Sequence, residues 1–327
     1  MAQYSGRRIS VGIFKQSKRD GSIKPMKLGV TIHNLKLKNP VMVASGTFGY
    51  AQEFSRFINI KKLGAIITKT ITKEPRKGNP PPRVIETASG MLNAIGLQNE
   101  GIENFLKEKL PFLRKLRVPL IVSIGGHTTQ EYVELAKMLG EAKGVDALEL
   151  NISCPNIAHS QRLVSQDADA TAVLVAAVRK ATVKTIITKL SPNVSDIASI
   201  ALAAQDAGSD ALSLINTFLG MSVDVARRRP KLGNVTGGLS GPAIKPIALR
   251  MVWEVAKAVK IPIIASGGIM NAEDALEFLI CGASAVSVGT ANFVDPRTSL
   301  DIIKGLETYL EKNKINNINS LIGSLQI

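Results

Sequence analysis

The residues of this sequence best suited to chemistry are a cysteine, two lysines and several glycines that follow short apolar runs. Cys154 stands in Asn151-Ile152-Ser153-Cys154-Pro155-Asn156, where Pro155 fixes the turn after it. A thiol of ordinary pKa, about 8.5, serves as a nucleophile or, once deprotonated, as a general base. A cysteine hydrolase would pair it with an imidazole, and neither His127 nor His159 stands in a recognisable triad pattern. General base is therefore the preferred role for Cys154, with a buried structural thiol as the bland alternative. Cys281, before Gly282, reads as a small buried hydrophobe.

Lys69 and Lys189 each close an apolar run, in Thr68-Lys69-Thr70 and Thr188-Lys189-Leu190. Three readings stay open for both: a solvated lysine, stabilisation of a bound anion, or a Schiff-base amine. Gly267-Gly268 and Gly289-Thr290 follow two further apolar runs, and Gly237-Gly238 and Gly241 precede them. Glycine lets backbone N–H groups approach an anion, and a following helix adds its positive end. Together these turns point to a phosphate site.

Eight short runs rich in Val, Ile and Leu position these groups: 41–45, 65–70, 120–124, 147–152, 185–190, 211–216, 263–266 and 285–289. They alternate with segments of helical spacing at 130–139, 170–181, 195–207, 247–259 and 272–279. Most runs are apolar on both faces, as strands between a barrel interior and a ring of helices must be. The expected fold is a (β/α)8 TIM barrel, with a doubly wound sheet as runner-up, and catalytic groups belong at its C-terminal strand ends. A hairpin at 28–37, turning at His33-Asn34, is expected to close the bottom. The long connections between the second and third strands and between the sixth and seventh are expected to be functional loops. The Asn- and Ile-rich end after Lys312 reads as a packing tail or a partner contact.

Composition narrows the class. In 327 residues, 45% apolar and 20% charged residues suffice for a core and exclude a wholly disordered chain. No apolar run is long enough to span a bilayer, and the expected setting is cytoplasmic, with no membrane association. Two Cys and three His supply no metal-ligand spacing, so no metal site is expected. The net charge of +15 calls for an anionic partner, but residues 1–52 carry nine Lys or Arg and one acid, Asp20. Residues 1–26 are expected to be a basic, mobile extension and 27–327 the barrel domain.

The same site residues resemble the dihydroorotate dehydrogenases, specifically the class 1B catalytic subunit, from about Leu28 onward. The resemblance is carried by Asn93-Ala94-Ile95-Gly96-Leu97-Gln98-Asn99, by the segment 151–156, by Asn216-Thr217-Phe218-Leu219-Gly220-Met221 and by the stretch 234–246. It implies an FMN-containing barrel, one FMN per chain, that oxidises dihydroorotate to orotate in pyrimidine synthesis. Cys154 matches the catalytic base. Lys69, Asn93, Ala94, Ile95, Gly96, Leu97, Asn151, Asn216 and Thr217 match substrate-binding positions. Ser45, Lys69, Thr70, Ser123, Asn151, Lys189 and Ile215 match flavin contacts, and Gly241, Gly267, Gly268, Gly289 and Thr290 match the ribityl-phosphate end. Two departures stand out: Ser123 replaces a usual Asn, and His159-Ser160-Gln161-Arg162 replaces a usual Gly-Gly loop.

Class 1B enzymes pass electrons to NAD+ through a subunit carrying FAD and a 2Fe–2S cluster. Two cysteines and no GxGxxG after the first strand leave this chain unable to hold those groups alone. The resemblance therefore implies a partner subunit, in a heterotetramer of two catalytic and two electron-transfer chains, and no nucleic acid. A fumarate-linked class 1A-like enzyme, a dihydropyrimidine dehydrogenase, and a basic binding module that has lost FMN are the alternatives.

Overall fold

The computed structural model describes residues 27–152 and 164–327. The basic extension expected over 1–26, and the segment 153–163 with Cys154 and His159, lie outside the described residues.

The described part opens with the expected hairpin, β1 (Val30–Ile32) and β2 (Leu35–Leu37), in which alternate residues are buried. His33 takes the left-handed turn conformation between them, at φ +50°. Its Nδ1 lies 3.3 Å from Thr185 Oγ1 and its Nε2 3.5 Å from Asp210 Oδ1, which seats the hairpin at the N-terminal end of the barrel. The next strands are β3 (Val41–Val43), β4 (Ala65–Ile67), β5 (Val84–Thr87), β6 (Gly90–Asn93), β7 (Leu120–Ile124) and β8 (Ala147–Leu150). They are followed by β9 (Thr185–Lys189), β10 (Ala211–Leu214), β11 (Phe218–Met221), β12 (Val223–Asp224), β13 (Arg229–Pro230), β14 (Thr236–Ser240), β15 (Ile263–Ala265) and β16 (Ala285–Val288).

Eight of these strands, β3, β4, β7, β8, β9, β10, β15 and β16, close a parallel barrel. Every residue in them is buried, as burial on both faces demands. Several strands end earlier than their apolar runs suggest, so that Ser45, Lys69, Thr70 and Asn216 sit in loops at the barrel mouth. Side-chain caps start the surrounding helices: Thr128 accepts from Glu131 N, Asp167 from Ala170 N, and Asn271 forms a capping box with Asp274.

The pairing register fixes what fills the barrel. Followed once round from Met42, it returns to the first strand displaced by eight residues, the shear of a (β/α)8 barrel. Inward positions then stack in layers of four from alternate strands. Met42, Ile121, Ile187 and Ile264 form an apolar layer. Above it lie Ile67, Glu149, Ser213 and Ser287, then Ala44, Ser123, Lys189 and Ser266. Lys69, Asn151, Ile215 and Gly289 complete the mouth. The interior is thus dry below and polar above.

The two long connections are not simple loops. Each supplies strands to one antiparallel sheet of order β11-β14-β6-β5, whose central pairing joins Gly238 to Asn93 and Ser240 to Met91. The C-terminal segment packs against the barrel: Ile318 is fully buried, Lys27 and Asn317 form a bridge, and Gly323 N donates to Leu279 O. Cys281 is half-buried rather than buried, because it caps the end of the helix Ala272–Ile280. Among the described residues no helix is long and apolar enough to cross a membrane, and no group of His, Cys, Asp and Glu could hold a metal ion.

Candidate active site

A cavity of about 930 Å³ lies at the C-terminal end of the barrel, with the antiparallel sheet along one side. Its lining includes Lys69, Asn93, Ile95, Gly96, Leu97, Asn151, Asn216 and Thr217, and also Ser45, Thr70, Lys189 and Ile215. Gly241, Gly267, Gly268, Gly289 and Thr290 line the same space. Residues spread over most of the chain meet there because every barrel strand delivers its C-terminal end to one rim.

A hydrogen-bonded chain of small polar groups crosses the floor. Ser45 Oγ lies 3.1 Å from Thr70 Oγ1, which lies 3.0 Å from Ser123 Oγ and accepts from Asn151 Nδ2 at 2.9 Å. Asn216 Nδ2 donates to Asn151 Oδ1 at 3.5 Å, and Thr217 N donates to Asn216 Oδ1 at 2.8 Å. Tyr132, from the helix Thr129–Glu141, donates its hydroxyl to Asn151 O at 2.9 Å and so pins the end of β8. Asn93 Nδ2 donates to Gly238 O at 3.3 Å, which ties it to the overlying sheet. Planar amides held this way suit a planar ligand that offers both N–H donors and carbonyl acceptors.

Two cations face this floor. Lys69 is held below the usual lysine pKa chiefly by burial; Glu53 and Glu100 oppose that shift and Arg83 adds to it. Lys189 is 7% exposed, and what remains accessible opens to the cavity. Nearby, burial together with Glu100 and Glu53 pushes the Tyr50 phenol up to about 12.

The opposite end is shaped by glycine. Gly268 has φ +74°, and a Cβ there would lie 2.9 Å from the Lys245 backbone. Lys245 is itself fixed at the start of the helix Lys245–Ala258 by Asp274 at 2.6 Å and Glu277 at 2.8 Å, which raise its pKa. Gly241, at φ +99°, lets the end of β14 meet the β5–β6 turn, where a Cβ would lie 2.7 Å from Gly90 Cα. Thr290 Oγ1 donates to Ser240 Oγ at 2.8 Å, linking the last strand's loop to the same sheet. Bare backbone around a closed end suits a phosphate.

Two of the expected residues stand off the cavity lining. Ala94 is fully buried beside Leu92 and Leu232 and does not line the cavity, because alternation turns Asn93 and Ile95 inward and Ala94 away. Ser123 also does not line it: its side chain is fully buried in the layer below and reaches the cavity only through Thr70. Cys154 lies outside the described residues. Conversely, Glu86, Thr87, Ser89, Met91, Phe293 and Val294 line the cavity without having been anticipated. A hairpin signal was present for the first four, since the β-branched run at 84–87 precedes Ala88-Ser89-Gly90. Phe293 and Val294, in the short helix Ala291–Val294, are 55% and 73% exposed and carried no such signal.

Comparison with known proteins agrees with this geometry. The family model for dihydroorotate dehydrogenase matches residues 27–310. The chain is 56% identical over 298 residues to the dihydroorotate dehydrogenase B (NAD(+)) catalytic subunit of Geotalea uraniireducens, covering 91% of this chain and 98% of that protein. It is 55% identical over 305 residues to the protein of the same description from Geobacter metallireducens, covering 93% and 100%. Among solved structures, the dihydroorotate dehydrogenase of Eimeria tenella in complex with ferulenol superposes with a TM-score of 0.75 at 26% identity, covering 94% of this chain and 90% of that one.

Proposed function

The chain belongs to the dihydroorotate dehydrogenase family, and from that premise we propose that it oxidises dihydroorotate to orotate in pyrimidine synthesis, as the catalytic subunit of an NAD+-linked enzyme. The observation that carries this reading is the meeting of Lys69, Asn93, Asn151 and Asn216 around one cavity whose other end is lined by glycine turns.

The cavity fits FMN in volume and in chemistry. About 930 Å³ accommodates a flavin nucleotide and a small ring together. Gly241, Gly267, Gly268, Gly289 and Thr290 would hold the phosphate end, and Ser45, Thr70, Asn151, Lys189 and Ile215 the ring. When bound, FMN supplies the acceptor for the hydride that leaves C6 of dihydroorotate.

The protein's own groups do the rest. Dihydroorotate is an anion, and Lys69 meets its carboxylate in a partly dry site where a charged hydrogen bond is strong. Asn93, Asn151 and Asn216 hold the ring in one plane and one orientation, so that the C5–H and C6–H bonds are aligned before reaction. Cys154 follows β8 by four residues and takes the C5 proton as general base. Loss of that proton and of the C6 hydride leaves the C5–C6 double bond of orotate. Lys189, which lines the same cavity, would offset negative charge on a reduced flavin held there.

A partner chain carrying FAD and a 2Fe–2S cluster would pass the electrons to NAD+, in an assembly of two chains of each kind in the cytoplasm. The test is dihydroorotate oxidation with NAD+, fumarate or a dye as acceptor, with and without the partner. NAD+ reduction that requires the partner is expected. Fumarate turnover by this chain alone would overturn the assignment of acceptor.

A further inference from the structure

The site described above leaves one buried ionisable group without a task. Glu149 is fully buried in β8, and neither carboxylate oxygen has a hydrogen-bond partner among the described residues. An unpaired carboxyl in a protein interior is costly, by several kcal/mol when charged. Residues of this kind persist where something compensates them.

The register identifies the compensating group. Glu149 pairs with Ile187 on β9, and Lys189 lies two residues further along that strand, on the same inward face and one layer higher. Among the described inward positions of the barrel, only Glu149, Lys189 and Lys69 carry ionisable groups, and Lys69 lies a further layer up. Most side chains around the pair are small: Ser213 and Ser287 share the layer of Glu149 with Ile67, while Ala44, Ser123 and Ser266 share that of Lys189. Ser287 Oγ, directly across the barrel from Glu149, is likewise buried and unpartnered. Small side chains, orphaned polar atoms and an absence of direct contact are the conditions under which proteins enclose water.

We propose that Glu149 is the internal counter-charge of Lys189, joined to it by water enclosed with Ser287 beneath the cofactor cavity. The pair sets how much positive charge Lys189 presents to the flavin. Glu149 acts through Lys189 and touches neither substrate nor cofactor, which makes it a positioning residue. The proposal rests on the FMN reading for its functional consequence, though not for the water.

The experiment is the midpoint potential of bound FMN in the full chain. In Glu149→Gln, Lys189 is uncompensated, so reduced FMN should gain affinity over oxidised FMN by about tenfold, a shift of ~30 mV to more positive potential for a two-electron couple. In a Lys189→Met background the same substitution should shift the potential by less than half as much. No shift, a negative shift, or an equal shift in both backgrounds would overturn the proposal. If Glu149→Gln does not fold, Glu149→Asp withdraws the charge from Lys189 and should give a smaller shift of the same sign; no shift there is equally fatal. A crystal structure of the wild-type protein, with or without flavin, supplies the second arm. Ordered water bonded to Glu149 and Ser287 and leading to Lys189 is expected, and a dry carboxyl would overturn the proposal. Failure of the wild-type chain to bind FMN would count against the flavin reading and leave this crystallographic arm to decide.

Discussion

Lys69→Met retains the length and apolar stem of the side chain and removes the ammonium that faces the cavity floor. A hydrogen bond to a charged group contributes about 1.5–3 kcal/mol. The burial that lowers the Lys69 pKa also reduces water screening of its charge, so the upper part of that range applies. About 3 kcal/mol corresponds to roughly 100-fold weaker orotate binding, since each 1.4 kcal/mol is tenfold. Orotate affinity is read from the change in flavin absorbance on titration, in wild type and variant, across a pH series. The sign of the pH dependence follows from the lowered pKa. Bound orotate favours the charged lysine, so wild-type affinity should weaken as pH rises through the lowered Lys69 value, before the ordinary 10.5 is reached. The variant should show no such alkaline limb. A loss smaller than threefold, with the alkaline limb intact in Lys69→Met, would refute the assignment of the substrate carboxylate to Lys69.

Other consequences concern the base, the phosphate end and the scaffold. Cys154→Ala should keep FMN bound yet slow flavin reduction by dihydroorotate by about 10²–10⁴-fold at neutral pH, as measured by stopped flow. Gly268→Ala places a Cβ at φ +74° and 2.9 Å from the Lys245 backbone; the strain of about 1–2 kcal/mol should weaken FMN binding roughly tenfold, measured by flavin fluorescence. Lys245→Met removes the cation that Asp274 and Glu277 share and should cost about 2 kcal/mol in urea unfolding at pH 7. Because Lys245 has a raised pKa, that gap should persist up to the ordinary lysine value and close only as pH rises through the raised one.

The barrel was legible in the sequence because each of its strands is buried on both faces and therefore written as a short apolar run. Lys69, Lys189 and the paired glycines were legible for a related reason: a polar residue closing such a run has the barrel rim as its natural place. The antiparallel sheet was not. Its strands β6 and β14 pair across more than a hundred residues, and β14 carries Gly237 and Gly238, a composition that argues against a strand. Thr217 explains the glycine at 238, since a Cβ there would overlap its hydroxyl. Ala94 lies off the cavity lining because a family motif names a segment, whereas alternation along an extended backbone decides which of its residues face the cavity. Glu149 escaped notice because one acid in an apolar run carries meaning only once the register shows Lys189 above it and Ser287 opposite.

The central claim is that this chain, loaded with FMN, itself takes a hydride from dihydroorotate. Anaerobic addition of dihydroorotate to the flavin-loaded chain, without partner subunit or external acceptor, tests it most directly. Stoichiometric bleaching of the visible flavin band, with one orotate formed per flavin, is the expected result. A flavin band that stays unchanged under excess dihydroorotate, in protein whose FMN is reduced by dithionite, would contradict it.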